Sequence, residues 1–305
     1  MIVPISGRHK PGPVLAASLI AGLLTLAGCS DSATSPAAHE TIAAGAKSPA
    51  LWHVQSADGH EAWLFGTIHA LPDKTPWRSA NLDAALAKAG LMAVEIGNLS
   101  DASAARRAVQ ERAYTPGLAP LSARVSAADR EKLKAIYSTS DLSDRDLDGV
   151  EDWAAALMIA NARRTNRTEN GVDKALLAGG LPTYGLEGFE RQFDRFDRLA
   201  PADQAALLSS VISDPDDPEE KELVSAWVSG DIAGLEEQTN TGFLTVPGLR
   251  AALLVDRNRD WALQIDRLIG QNRRPFVAVG AAHMLGPDGI PALLAAQGHV
   301  VTRLQ

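Results

Sequence analysis

The sequence predicts an α/β (α+β) protein with one central sheet, in which strands alternate with helices in two halves at the chain ends. Three observations support this prediction. Short apolar runs rich in β-branched and aromatic residues occur near both ends of the chain. Segments with apolar residues three and four positions apart lie beside these runs. The stretch 101–166 is rich in Ala, Leu and Arg with the same helical spacing, so it forms a helical insertion between the halves.

The first half begins with a β-hairpin. Apolar segments 51–54 and 62–69 flank the pair Asp58-Gly59, which favours a tight turn between antiparallel strands. Residues 82–89 have helical spacing, and Gly90 is placed to end that helix. A strand over 91–96 follows directly.

The remaining segments repeat the same two patterns as far as the end of the chain. The sequence predicts strands over 181–186, 276–280 and 299–304, and helices over 203–212, 219–228, 250–268 and 290–297.

The N-terminal segment has the features of a signal peptide. Arg8 and Lys10 precede an uncharged apolar run, 14–27, which is shorter than the roughly 20 residues that span a bilayer. The run ends in Leu26-Ala27-Gly28-Cys29, which resembles the lipobox of bacterial lipoproteins, whose cysteine is acylated after cleavage. The alternative is that Cys29 is an incidental small residue beside an ordinary cleavage site.

These features divide the chain into three parts. We expect a lipoprotein signal peptide over 1–28, a flexible tether rich in Ala, Ser, Thr and Gly over 29–48, and one globular domain over 49–305. Ser30 resembles the residue that directs such lipoproteins to the outer membrane. The expected location is therefore the outer membrane, with the domain facing the periplasm.

The composition excludes several classes of function. The 305 residues contain 29 Lys and Arg against 37 Asp and Glu, and a net charge of −8 does not suit binding to nucleic-acid phosphates. The single cysteine excludes an intrachain disulfide framework and a structural zinc site made of several thiolates. No glycine loop for phosphate and no nucleophile elbow for a catalytic serine occurs.

Two strands end in the same short pattern, Gly-x-x-His. Gly66 precedes His69 after the second predicted strand, and Gly280 precedes His283 after a later one. Each histidine would project from the carboxyl end of its strand, where α/β proteins place their sites. Either histidine alone could be an ordinary loop or core residue, but two copies favour a pair of metal ligands.

Two glutamates interrupt or follow strands in a similar way. Glu95 lies within the apolar run 91–96, and Glu187 follows 181–186. A carboxylate there costs several kcal/mol unless it is paired or bound to a cation, and a salt bridge would also satisfy it. Two histidines and two glutamates without thiolates would suit Mn, Fe, Co or Zn and leave room for water.

At this point the chain resembles the TraB/GumN family, which includes the Tiki metal-dependent proteases. The resemblance covers about residues 50–305, although His299 stands where the family carries an aromatic residue. The segments that carry it are Gly66-Thr67-Ile68-His69, Val94-Glu95, Gly171-Val172-Asp173-Lys174, Gly185-Leu186-Glu187 with Gln192, Arg257-Asn258 with Trp261, Gly280-Ala281-Ala282-His283-Met284-Leu285-Gly286 and Gly298-His299-Val300-Val301.

The resemblance implies a fold like that of erythromycin-esterase and ChaN-like proteins, with a central mixed sheet from two βαβ-type halves at the chain ends and a helical insertion between them. It also implies a divalent metal site with the ligands His69, Glu95, Glu187 and His283. Arg257 and Asn258 match the family's Arg-Asn pair, although without the family they would pass as ordinary charged helix surface.

These residues lead to an expected function and to alternatives. The leading hypothesis is an envelope-tethered metal-dependent hydrolase acting on peptides or proteins, in which Arg257 stabilises an oxyanion or orients substrate. Of the two carboxylates we favour Glu95 as ligand and Glu187 as general base, because Glu187 follows Gly185 and has more freedom. The alternatives are a haem- or iron-binding lipoprotein of related fold, and a non-catalytic envelope protein.

Overall fold

The computed structural model describes residues 47–68, 71–72, 74–98, 101–163, 171–213 and 218–305. They form one six-stranded mixed sheet with the strand order β4-β3-β5-β2-β1-β6. The strands are β1 Leu51–Gln55, β2 Glu61–Thr67, β3 Leu91–Ile96, β4 Thr183–Glu187, β5 Pro275–Gly280 and β6 Val300–Arg303.

The four strands β4, β3, β5 and β2 are parallel to one another, whereas β1 is antiparallel to both of its neighbours. The hairpin β1–β2 forms as predicted, with Leu51 opposite Phe65 and Gln55 opposite Glu61. Because the carboxyl ends of the parallel strands meet at one edge, residues at those ends come together. The predicted fold class is confirmed.

Helices cover both faces of the sheet and form the insertion between β3 and β4. A single π-helical turn, Ala251–Val255, lies between the last two helices before β5. The helices are α1 Ala80–Lys88, α2 Ala102–Gln110, α3 Leu121–Arg124, α4 Ala127–Thr139, α5 Asp152–Ala162, α6 Val172–Leu177, α7 Phe189–Asp197, α8 Pro201–Ser213, α9 Pro218–Val228, α10 Ile232–Thr239, α11 Pro247–Arg250, α12 Asp256–Gly270 and α13 Ile290–Ala296.

The central strands are buried on both faces, as β5 illustrates. Phe276 and Ala278 pack into a large core shared with the helical insertion. Val277 and Val279 face a second core, to which α12 and α13 contribute. Side chains of successive strand residues point to opposite faces, so a continuous apolar run is what a doubly covered strand requires.

Some elements differ from the sequence prediction. The insertion is broken by non-helical stretches at 111–120 and 140–151, and the helices α6, α7 and α10 were not predicted. Helix α7 carries a recognisable signal, because Phe189, Phe193 and Phe196 follow helical spacing and are all buried.

The signal peptide, nearly all of the tether and Cys29 lie outside the described residues, and those predictions stay untested. None of the helices in the described part of the chain is long and apolar enough to cross a membrane.

Candidate active site at the edge of the parallel strands

A group of buried and part-buried polar side chains lies where β3, β4 and β5 end. Glu95 is the penultimate residue of β3, and Glu187 is the last residue of β4. His283 belongs to a 3₁₀ turn, Ala281–Met284, that follows β5 directly. Arg257 and Asn258 come from the first turn of α12 and are both buried. The structure therefore brings together five residues that the sequence singled out.

Arg257 joins the two glutamates. Its Nη2 lies 2.7 Å from Glu95 Oε2 and 2.5 Å from Glu187 Oε1. Burial acts against the guanidinium charge, but the two carboxylates outweigh it and raise the pKa of Arg257. A charged guanidinium that is only 3% exposed needs this compensation, since an unpaired buried charge costs several kcal/mol.

Glu95 is held at both carboxylate oxygens. Oε2 accepts from Arg257, and Oε1 accepts from the backbone N–H of Gly280 at 2.9 Å. Oε1 also lies 3.9 Å from His283 Nε2. A Cβ at Gly280 would lie 3.3 Å from Glu95 Oε1, so the glycine of the second Gly-x-x-His pattern allows this close approach.

Glu187 is more enclosed than the sequence suggested. Its side chain is fully buried, with Arg257 against Oε1 and Arg195 Nε 3.5 Å from Oε2. Burial lowers the pKa of Arg195, and the charge of Glu187 acts in the opposite direction. The freedom expected from Gly185 is therefore absent; a Cβ at Gly185 would lie 2.7 Å from the backbone nitrogen of Gly97.

His283 is packed between α12 and the end of the sheet. Its Nδ1 lies 2.5 Å from Asn258 Oδ1, and its Nε2 lies 3.4 Å from Arg257 Nη1. Asn258 Nδ2 donates to the backbone carbonyl of Asp288 at 2.8 Å. The Trp261 ring lies against both residues: its centroid is 4.6 Å from the centroid of the His283 ring and 4.4 Å from Arg257 Cζ.

Of the first Gly-x-x-His segment, the structure describes Gly66, Thr67 and Ile68, which lie beside this group. His69 lies outside the described residues. The backbone oxygen of Gly66 accepts from Trp227 Nε1 at 2.8 Å. Thr67 Oγ1 donates to Asp173 Oδ1 at 2.6 Å, and the next carbonyl, that of Ile68, accepts from a backbone N–H of α6. The chain leading to His69 is thus anchored at three successive residues.

Sequence reasoning did not assign roles to Arg195, Trp261 or Asp173. Trp261 follows Arg257 by four positions, and residues at that spacing share a helix face, so its contact was readable in principle. Arg195 and Asp173 come from α7 and α6, two helices that were not predicted, and no local pattern points to the site.

The described residues offer only part of a ligand set for a divalent metal. Among the described residues no three His, Cys, Asp or Glu side chains converge as a metal site. His283 Nε2 and Glu95 Oε1 come nearest, and their separation of 3.9 Å is within the ~4.2 Å that two atoms bound to one ion can span. These two residues fit as ligands, whereas Glu187 directs both oxygens to arginines.

Comparison with known proteins identifies one family. The sequence model of the TraB/PrgY/gumN family matches residues 50–303, nearly the whole folded chain. No curated protein and no solved structure matched this chain.

Proposed function

The chain belongs to the TraB/PrgY/gumN family, and we propose that this member is a metal-dependent hydrolase of the cell envelope, acting on peptides. One observation carries the proposal. A buried histidine, a buried arginine, the buried Glu187 and the part-buried Glu95 lie together at the carboxyl edge of the parallel strands, where α/β proteins place their catalytic groups.

His283 and Glu95 would hold the metal, together with His69 as the sequence predicts. Imidazole and carboxylate without thiolate suit Mn, Co, Fe or Zn. A divalent ion held there would supply Lewis acidity towards a carbonyl and would lower the pKa of a bound water. Two residues of α12 hold the His283 ring in place: Asn258 contacts Nδ1, and the Trp261 ring packs against the imidazole.

The chain's own charged groups divide the remaining work. Arg257 donates to both carboxylates and is placed to turn one of its N–H groups to the oxyanion that forms during hydrolysis. Glu187, whose shortest contact is with Arg257, would accept the proton of the attacking water and pass it to the leaving amine. Arg195 stays against the second oxygen of Glu187 and keeps that carboxylate in place.

The peptide substrate and the location rest on sequence. The resemblance to the Tiki proteases supports a peptide or protein substrate. The lipobox-like segment ending at Cys29 supports a lipid anchor to the outer membrane, with the domain facing the periplasm.

The alternative of a haem-binding lipoprotein has no specific observation in its favour among the described residues. An axial histidine needs an apolar slot in front of its ligating nitrogen. His283 is fully buried among the polar side chains of Arg257, Asn258 and Glu95, which do not form an apolar slot.

Elemental analysis of the purified domain, followed by digestion of a peptide library with and without Mn²⁺ or Co²⁺, tests the proposal. We expect a bound divalent ion and metal-dependent cleavage, both lost in His283→Ala. His299→Ala is the matched control, because His299 also has a largely buried side chain and pairs with Asp266 away from the site. Equal metal content and cleavage in both variants would refute the assignment.

A further inference from the structure

We propose that Asn258 fixes the tautomer of His283, so that Nδ1 carries the proton and the bare Nε2 faces Glu95 and Arg257. Asn258 is thereby a positioning residue for the candidate site. The inference rests on the proposed function in one respect only, which is that the unprotonated Nε2 of His283 binds the metal.

The orientation of the Asn258 amide follows from its contact with the main chain. The amide group nearest Asp288 lies 2.8 Å from a backbone carbonyl oxygen, which can only accept a hydrogen bond. The NH₂ group must therefore face Asp288, and the amide oxygen must face His283. Since an amide oxygen only accepts, the imidazole nitrogen 2.5 Å away, Nδ1, must carry the proton.

The contact of Arg257 with the other ring nitrogen also indicates that Nε2 carries no proton. Its Nη1 lies 3.4 Å from His283 Nε2, and a guanidinium carries donors but no acceptor. A proton on Nε2 would bring two donors face to face. The opposite tautomer is therefore disfavoured by a contact independent of Asn258, and the acceptor Glu95 Oε1, at 3.9 Å from Nε2, is too far away to hold a proton there by a hydrogen bond.

The packing of the ring prevents an easy exchange of its nitrogens. His283 is fully buried, and Trp261 lies against it with 4.6 Å between ring centroids. Turning the ring over would replace both nitrogens by carbons and break the contacts to Asn258 and Arg257. The turned ring would leave the buried amide oxygen of Asn258 without its hydrogen bond, which is unfavourable.

A second histidine provides an internal contrast. His299 Nε2 lies 2.8 Å from Asp266 Oδ1, a carboxylate that only accepts. In this residue the proton is therefore on Nε2, the opposite nitrogen. Two histidines of one chain are thus expected to differ in a property that can be measured side by side.

The consequence for the site is that the nitrogen facing it has a lone pair. Metal-binding histidines bind through a bare nitrogen while the other ring N–H is held by an oxygen, and loss of that partner typically costs about 10–100-fold in affinity. Asn258 would be that partner for His283.

Long-range ¹H–¹⁵N correlation spectra of the metal-free protein, labelled with ¹⁵N-histidine, test the proposal at a pH where the rings are neutral. We expect His283 to show a protonated Nδ1 and a bare Nε2, and His299 to show the reverse. The variants His283→Gln and His299→Gln assign the signals. A protonated Nε2 on His283 in the unaltered protein would overturn the inference.

Two variants at position 258 then test the cause. Asn258→Leu removes the 2.5 Å acceptor of the Nδ1 proton and leaves only the longer 3.4 Å contact with Arg257 to disfavour Nε2–H, so a measurable share of the Nε2–H tautomer should appear. Asn258→Asp keeps an oxygen against Nδ1 and should preserve the tautomer. An unchanged His283 signal in Asn258→Leu would overturn the proposal. If this variant does not fold, a proton moved to Nε2 in Asn258→Asp would overturn it equally.

Titration with Zn²⁺ alone separates this inference from the proposed function. Affinity should fall about 10–100-fold in Asn258→Leu and much less in Asn258→Asp. An unaltered protein that shows the expected tautomer but binds no Zn²⁺ would refute the metal site and leave the role of Asn258 standing.

Discussion

At the scale of single residues, the positive charge of Arg257 offsets the repulsion between the carboxylates of Glu95 and Glu187. Glu95 and Glu187 approach the same guanidinium nitrogen at 2.7 and 2.5 Å from two different strands. Without the arginine, two like charges would face each other in a region with little water to solvate them. The residue proposed to act on substrate is therefore also a structural requirement of the site.

Arg257→Met should destabilise the domain by about 3–5 kcal/mol, because it removes the guanidinium that lies between the buried Glu187 and the part-buried Glu95. Adding Glu187→Gln should recover a large part of the loss, since one of the two charges is then removed. Urea unfolding followed by Trp fluorescence measures both effects. Arg259→Met is the matched control, because Arg259 is well exposed and its nearest carboxylate oxygen lies 3.8 Å away. A comparable loss in the control would contradict the argument.

The two glutamates should behave differently when their charges are removed. Glu95→Gln should weaken metal binding, because Glu95 Oε1 lies 3.9 Å from His283 Nε2. Glu187→Gln should keep the metal while turnover falls about 10²–10⁴-fold, as for loss of a general base. Metal titration and rates on a cleaved peptide distinguish the two roles. Full metal binding and full activity in both variants would leave the hydrolase proposal without a base.

At the scale of elements, the two Gly-x-x-His segments are aligned by the pairing of β2 with β5. Gly66 lies opposite Val279, and Thr67 lies opposite Gly280, so both strands reach the same edge at the same level. The 3₁₀ turn that carries His283 then folds over Gly66. A Cβ at Gly66 would lie 2.9 Å from the Cα of Ala281, closer than any side chain allows.

Gly66→Ala should therefore push the turn away from β2. We expect destabilisation by about 1–3 kcal/mol, as for other overpacked sites, together with weaker metal binding. Thermal unfolding and metal titration measure the two effects. Gly270→Ala serves as the control, because a Cβ there would meet no atom within 4 Å. Equal stability of the two variants would show that this close contact does not position the His283 turn.

At the scale of the whole molecule, the sequence predicted the central strands β2, β3 and β5 well because they are buried on both faces. Runs such as Phe276–Val279 have no polar residue, and glycine follows them directly. The contacts within the site were not predictable by the same means. Arg257 is separated from Glu95 by 162 positions and from Glu187 by 70. Local periodicity carries no information about such pairs, and only the order of the strands brings them together.

The same limit explains why Glu187 was expected to be free. Its position after Gly185 suggested a mobile strand end, whereas α7 packs behind it and brings Arg195 to its second oxygen. The local sequence around a residue predicts its backbone conformation. It does not predict which side chains from other elements will contact that residue in the folded chain.

Cys29→Ala tests how the whole molecule is held in the envelope. The apolar run 14–27 is too short to span a bilayer as a helix, so membrane affinity is expected to come from acyl chains on the cysteine. The variant should be found in the soluble fraction or as uncleaved precursor, whereas the unaltered protein should resist a high-salt wash of the membranes. Fractionation with immunoblotting measures both.

Ser30→Asp provides the matched control for that experiment, since it keeps Cys29 and changes only the following residue. Aspartate at this position resembles the signal that retains lipoproteins in the inner membrane, so the variant should stay lipid-anchored but move from the outer to the inner membrane on a sucrose gradient. The Cys29→Ala protein should appear in neither membrane after the salt wash. If the Cys29→Ala protein still sediments with the outer membrane, the attachment must come from a surface of the folded domain, and the lipoprotein assignment is wrong.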